Sequence, residues 1–205
     1  MRILLIILAL FSTAYGQVKV TVPRAYTITL GGGSPAPSCP YVLTFGTLSN
    51  FTENTPGTYT LTSAASDGNG STSISLSGAV DSVIAYFEYQ SADGFQSAIS
   101  WDTVSSQTTP YYSNCKFNVF VYADEYWCHY NQEGAISTTV APVDGDLVGL
   151  IRRGAKVYAA YYRSGMWHDL REFEGDHSST LYQFISSAND GTTFLKIRNL
   201  KYCVY

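Results

Sequence analysis

The sequence predicts an all-β fold, a two-sheet antiparallel sandwich, on three observations. Tyr, Thr, Val, Ile and Phe, the strand formers, fill the chain. Apolar residues alternate with period two in several places, as pleated strands with one buried face require. Turn residues punctuate the chain, and Gly134, Gly145, Gly154, Gly165 and Gly175 recur every nine to eleven residues. That spacing suits an antiparallel sandwich or barrel.

The elements follow in chain order. Residues 1–16 read as a removable export signal. Arg2 supplies the positive start, Ile3 to Phe11 the apolar stretch, and Ala14 and Gly16 the small residues before a cut at Gln17. The expected location is therefore secreted and extracellular. Residues 17–40 predict an N-terminal strand and a linker, because the segment holds a three-glycine run and four of the seven prolines. The sandwich domain is expected over 41–205 with about twelve strands, too many for an immunoglobulin-type sandwich.

Within that domain, Tyr59 and Leu61 share one face, as do Val83, Ala85, Phe87 and Tyr89. Phe117, Val119 and Val121 share another, opposite Asn118, Phe120 and Tyr122. STLYQFISS at 179–187 has hints of helical spacing, yet it is short and rich in Thr and Ser and reads as a strand.

Charge excludes some partners. The formal net charge is −4, with 12 Lys+Arg against 16 Asp+Glu. A nucleic-acid partner needs a basic footprint and is not expected. Membrane insertion is not expected either, since no apolar run after residue 16 approaches the ~18 residues that span a bilayer.

Four cysteines in an exported chain predict two disulfides, with three pairings open. Cys115 and Cys128 flank a segment that can double back as a hairpin, and their pairing leaves Cys39 with Cys203. Zinc would need closely spaced pairs, which are absent. Asn50 and Asn69 head N-x-[ST] acceptors for N-glycosylation, each expected on a surface loop or an exposed strand end.

GDLVGLIRRGAKVYAAYYRSGMWHDL at 145–170 and FLKIRNLKYCVY at 194–205 together resemble the last third of a concanavalin A-like lectin/glucanase jelly-roll domain. The resemblance implies that the final strand pairs with the first, which suits a Cys39–Cys203 bond.

Chemistry is sparse. Glycan-cleaving members of that fold carry alternating carboxylates such as E-x-D-x-E. The nearest run is Glu172, Glu174 and Asp176, where Gly175 is expected to turn the chain. Asp124 and Glu125 are adjacent and point to opposite faces of a strand. Asp144 and Asp146 flank Gly145 and read as a hairpin turn rather than a calcium site. His129, His168 and His177 lack a G-x-S-x-G nucleophile. No cofactor motif occurs, so no catalytic residue, metal or cofactor is expected.

The aromatic content is the most informative feature, with 17 Tyr, 10 Phe and 3 Trp. Each buried tyrosine hydroxyl needs a partner, so this many tyrosines exceed what a core takes. Tyr158 and Tyr162 share a strand face, and Trp167 and Asp169 share the next, with small Ala159 and Ala160 between the rings. Rings beside an acid suit a sugar, the ring taking the C–H face and the acid the hydroxyls. The competing reading is ordinary cross-strand packing. Tyr126 and Trp127 form a second candidate patch. The expected function is a secreted, non-catalytic recognition module that binds an extracellular glycan or glycoprotein. The alternatives are an extracellular structural or protein-interaction module and a diverged glycan-active hydrolase.

Overall fold

The computed structural model describes residues 18–22, 26–30, 41–42, 45, 47–63, 68–76, 82–93, 97–105, 114–122, 124–131, 133–187 and 196–204. The export segment and Cys39 lie outside these. The chain divides into two compact units. The first holds a two-stranded antiparallel hairpin, β1 (Val18–Val22) and β2 (Tyr26–Leu30), with Val18 opposite Leu30.

The second unit, Ser38–Arg163 with Trp167–Tyr205, is the sandwich. Its first strands are β3 (Tyr41–Val42), β4 (Thr47–Ser49), β5 (Phe51–Thr55), β6 (Thr58–Leu61), β7 (Gly68–Leu76), β8 (Ser82–Glu88) and β9 (Ser97–Asp102). There follow β10 (Phe117–Tyr122), β11 (Glu125–Tyr130), β12 (Ile136–Ser137), β13 (Leu147–Arg153) and β14 (Lys156–Arg163). The last are β15 (Met166–Phe173), β16 (Leu181–Ser187) and β17 (Lys196–Val204). One sheet has the order β12-β11-β10-β9-β16-β7-β4. The other has the order β15-β14-β13-β8-β17-β6-β5, with β3 added against β17. All pairings recorded are antiparallel, as in hairpin-built sandwiches.

The alternating faces form the core. Val83, Ala85, Phe87, Val148, Leu150 and Val157 on one sheet meet Ile99, Trp101, Phe117, Val119 and Val121 on the other. Tyr59, Leu61 and Tyr89 join them, as their alternation predicts. Each buried polar group in this interior needs a partner. Trp101, for example, donates its indole N–H to Gln183 Oε1 at 2.6 Å.

STLYQFISS is a strand, β16, paired with β9 and β7. The last strand pairs with the first of the sandwich, Tyr202 opposite Tyr41. Gly175, at φ +104, turns the chain just after β15 ends at Phe173.

One expectation is corrected. Cys115 and Cys128 are free, buried thiols, not a disulfide. The β10–β11 register puts Cys128 opposite Val119. Cys115 lies four residues before Val119, just ahead of β10, roughly 13 Å away for extended chain. Disulfide geometry tolerates at most about 7 Å between Cα atoms. Cys203 is disulfide-bonded, while its expected partner, Cys39, lies outside the described residues.

Candidate functional site

The outer face of the β15-β14-β13-β8-β17 sheet carries a second apolar cluster, apart from the core. Ile84, Tyr86, Ile151, Tyr158, Ala160 and Cys203 form it, and Leu147 and Trp167 pack against it. Register explains the grouping. Ile151 stands opposite both Tyr158 and Ile84, and Gly149 opposite both Ala160 and Tyr86.

Gly149 allows that register. A β-carbon there would lie 2.3 Å from the Ala85 carbonyl oxygen and 2.9 Å from Tyr86 Cβ. With Gly149 and Ala160 side by side, the sheet has a low floor across which large rings can pack.

Trp167 is the hub. Its ring lies 5.5 Å from Tyr162 at 64° and 6.0 Å from Tyr86 at 58°. The β14–β15 hairpin brings Tyr162 to Trp167 through a tight turn in which Ser164 (φ 54) and Gly165 (φ 87) are both left-handed. Such turns match the twist of paired strands. Tyr162 and Trp167 are half-buried and keep part of their rings at the surface.

Tyr158 differs. It is only 6% exposed, and the Arg153 guanidinium lies over its ring at 4.9 Å. Asp169 lies two residues beyond Trp167 on β15, and its side chain is 11% exposed. Arg153 Nη1 is 3.7 Å from Asp169 Oδ2, beyond hydrogen-bond reach. Both Asp169 carboxylate oxygens are buried without a hydrogen-bond partner. Burial, and then the charge of Glu172, pushes this carboxyl up to about 8. The four residues singled out in the sequence therefore sit on one sheet face. Two of them, Tyr158 and Asp169, are covered.

Other candidates separate. Trp127 stacks on Phe120 at 6.4 Å on the outer face of the other sheet, whereas Tyr126 is in the core. Tyr126 donates its hydroxyl to Asp146, and Arg163 donates Nε to the same carboxylate at 2.8 Å. Asp144 accepts from the Ser91 backbone N–H at 2.6 Å. The two aspartates thus serve turn and ion-pair roles, and no metal-holding group of side chains occurs among the described residues. Glu172 pairs with Lys156 at 3.0 Å. His168 stacks on Tyr161 at 4.8 Å, on the other face of β15 from Asp169. Asp176 is exposed and accepts from Ser178 N–H, while His177 is buried against Phe117. Asn50 is exposed at the turn between β4 and β5. Asn69 is the second residue of β7, paired on both sides.

No protein-family model matches the chain, and no curated protein does. Solved structures do. The SPRY domain of human HERC1 superposes with TM-score 0.50 at 14% identity, covering 77% of this chain and 94% of that one. The fold is a concanavalin A-like jelly roll. A protein of unknown function from Shewanella oneidensis MR-1 aligns at TM-score 0.42 and 12% identity, over 80% of this chain and 77% of that one. The PL7 alginate lyase AlyA1 from Zobellia galactanivorans aligns at 0.40 and 9%, over 90% and 86%.

Within this jelly roll, sequence reasoning missed Tyr86, Gly149 and Arg153. Tyr86 had a readable trace. In SVIAYFEYQ the face opposite Val83, Ala85 and Phe87 holds Ile84 and Tyr86, so the strand is apolar on both faces. A strand apolar on both sides must be covered on both.

Proposed function

We propose that the jelly roll is a secreted, non-catalytic recognition module that binds carbohydrate at the Trp167–Tyr162 surface. The observation that carries this reading is the pair of partly exposed rings, 5.5 Å apart, backed by buried Tyr86. A ring held by its neighbours stacks on a sugar's C–H face with little further ordering cost. The predicted export signal, the acceptor at exposed Asn50 and the expected pairing of Cys39 with Cys203 all suit an extracellular setting. Glu172, ion-paired with Lys156, and the covered Asp169 do not offer the two open carboxyl groups that glycoside hydrolysis requires.

A protein-interaction reading has one observation in its favour. Tyr122 is 44% exposed and its ring lies 6.0 Å from Trp127 on the outer face of the other sheet. Interfaces favour such aromatic and apolar anchors.

The test is a glycan array probed with the disulfide-intact protein, in calcium and again in EDTA. Binding to a defined glycan set in both buffers supports the reading. No binding in either removes it and leaves the protein-interaction module.

A further inference from the structure

We propose that the glycan taken at the Trp167–Tyr162 surface is an anionic one, a saccharide bearing a carboxylate or a sulfate, and that Lys201 receives its acid group. This rests on the carbohydrate reading above and names the class of ligand. The final strand brings Lys201 to the same sheet face. Lys201 stands directly opposite Tyr86, and Cys203, two residues on, belongs with Tyr86 to the outer cluster. Leu200 and Tyr202, the residues between, pack into the core. Directly opposed residues on one face have β-carbons about 5 Å apart. The Tyr86 ring in turn lies 6.0 Å from Trp167. A sugar stacked on the open part of Trp167 therefore has an ammonium on its β17 side, carried on a long, flexible stem.

The other cations near these rings are committed. Arg153 is paired with Asp169 at 3.7 Å while it lies over Tyr158. Lys156 is held by Glu172 at 3.0 Å. Arg198, opposite Glu88, donates Nη2 to Asp93 at 2.7 Å. Lys201 is half-buried, and no carboxylate among the described residues pairs with it. A cation beside a stacking surface and without a counter-ion complements an acid group on what stacks there.

The acids of this face do not cancel it. Glu88 is two residues beyond Tyr86 on β8, and its two carboxylate oxygens accept the side-chain amides of Gln90, at 2.7 Å, and Asn199. Asp169 is on β15, with β14, β13 and β8 between it and β17.

The test uses matched glycans on one array, probed with the disulfide-intact protein. Lactose is set beside sialyllactose and sulfolactose, and methyl-esterified beside de-esterified polygalacturonate. The native protein is expected to bind the acidic member of a pair at least about fivefold more tightly than the neutral one, the factor an exposed ion pair supplies. Lys201→Met should bring the two level, and Lys201→Arg should keep the preference. Lys116→Met, on the other sheet, should keep it too. In the native protein, added salt should narrow the preference, because salt screens exposed charges. Equal binding of both members, neutral glycans bound alone, or a preference that survives Lys201→Met overturns the anionic ligand and leaves the carbohydrate reading standing. No binding to any glycan removes both.

Discussion

Gly149 of β13 stands opposite Tyr86 of β8, closer than any side chain would allow, because a β-carbon there would lie 2.3 Å from the Ala85 carbonyl oxygen. The contact is with backbone, so a larger residue must push two paired strands apart. Gly149→Ala is expected to destabilise the domain by about 1–3 kcal/mol, the usual cost of overpacking. Thermal unfolding followed by circular dichroism checks it, at about 2–4 °C of Tm per kcal/mol for a domain of this size. An unshifted Tm would mean that the strands yield without cost.

Asp146 gathers Tyr126, Arg163 and the Val143 N–H on one buried carboxylate. Asp146→Ala strands the tyrosine hydroxyl and the guanidinium together. A loss of about 1.5–3 kcal/mol is expected for hydrogen bonds to a charged group. Denaturant unfolding measures it. A calcium-dependent Tm in the native protein would instead point to a metal on this turn.

Two buried groups give stability opposite pH dependences. Asp169 has a folded pKa raised to about 8, above its ordinary value. The folded state therefore holds its proton longer than the unfolded state, and stability falls as pH rises from about 4 to about 8. Asp169→Asn should raise Tm at pH 9 relative to the native protein and leave it nearly unchanged at pH 3. A lower Tm at pH 9 would show that the ionised carboxylate is already well paired.

His177 works in the other direction. Burial holds its imidazole below the ordinary histidine value, and the Lys116 charge adds to the effect. The unfolded state binds the proton first, so stability is lost as pH falls below about 6.5. The ring packs edge-on against Phe117 at 4.7 Å. His177→Phe should flatten the fall in Tm between pH 6.5 and pH 5, and an unaltered slope would count against this origin.

The two free thiols make a chemical prediction. Burial pushes both Cys115 and Cys128 up to about 12, so neither is nucleophilic at neutral pH. Iodoacetamide at pH 8 should label neither residue in the folded protein and both in unfolded protein without reductant. Protection of both after unfolding would restore the Cys115–Cys128 bond.

Much of this was legible in the sequence, and the reason is local. Alternation assigns faces without reference to partners, so Val83, Ala85 and Phe87 fall inside, and Tyr158 falls on the face opposite Tyr161, as read. Gly175 ends its strand because a left-handed turn is encoded in one residue. Register was not legible. Cys115 and Cys128 flank a hairpin, but which residue faces which depends on the strand pairing, and the offset decided against a bond. Nor was the covering of Tyr158 legible. Arg153 reaches it across a β-hairpin by rotamer, a choice that no spacing announces. Tyr86 needed the knowledge that β8 is apolar on both faces and covered on both.

The most direct test of carbohydrate recognition at Trp167 compares the native protein with Trp167→Ala and Trp127→Ala on the same glycan array. The account predicts that native protein and Trp127→Ala bind the same glycans, while Trp167→Ala loses at least about tenfold in affinity, the equivalent of one lost ring contact. Loss on Trp127→Ala instead, or no glycan bound by the folded native protein, would contradict it.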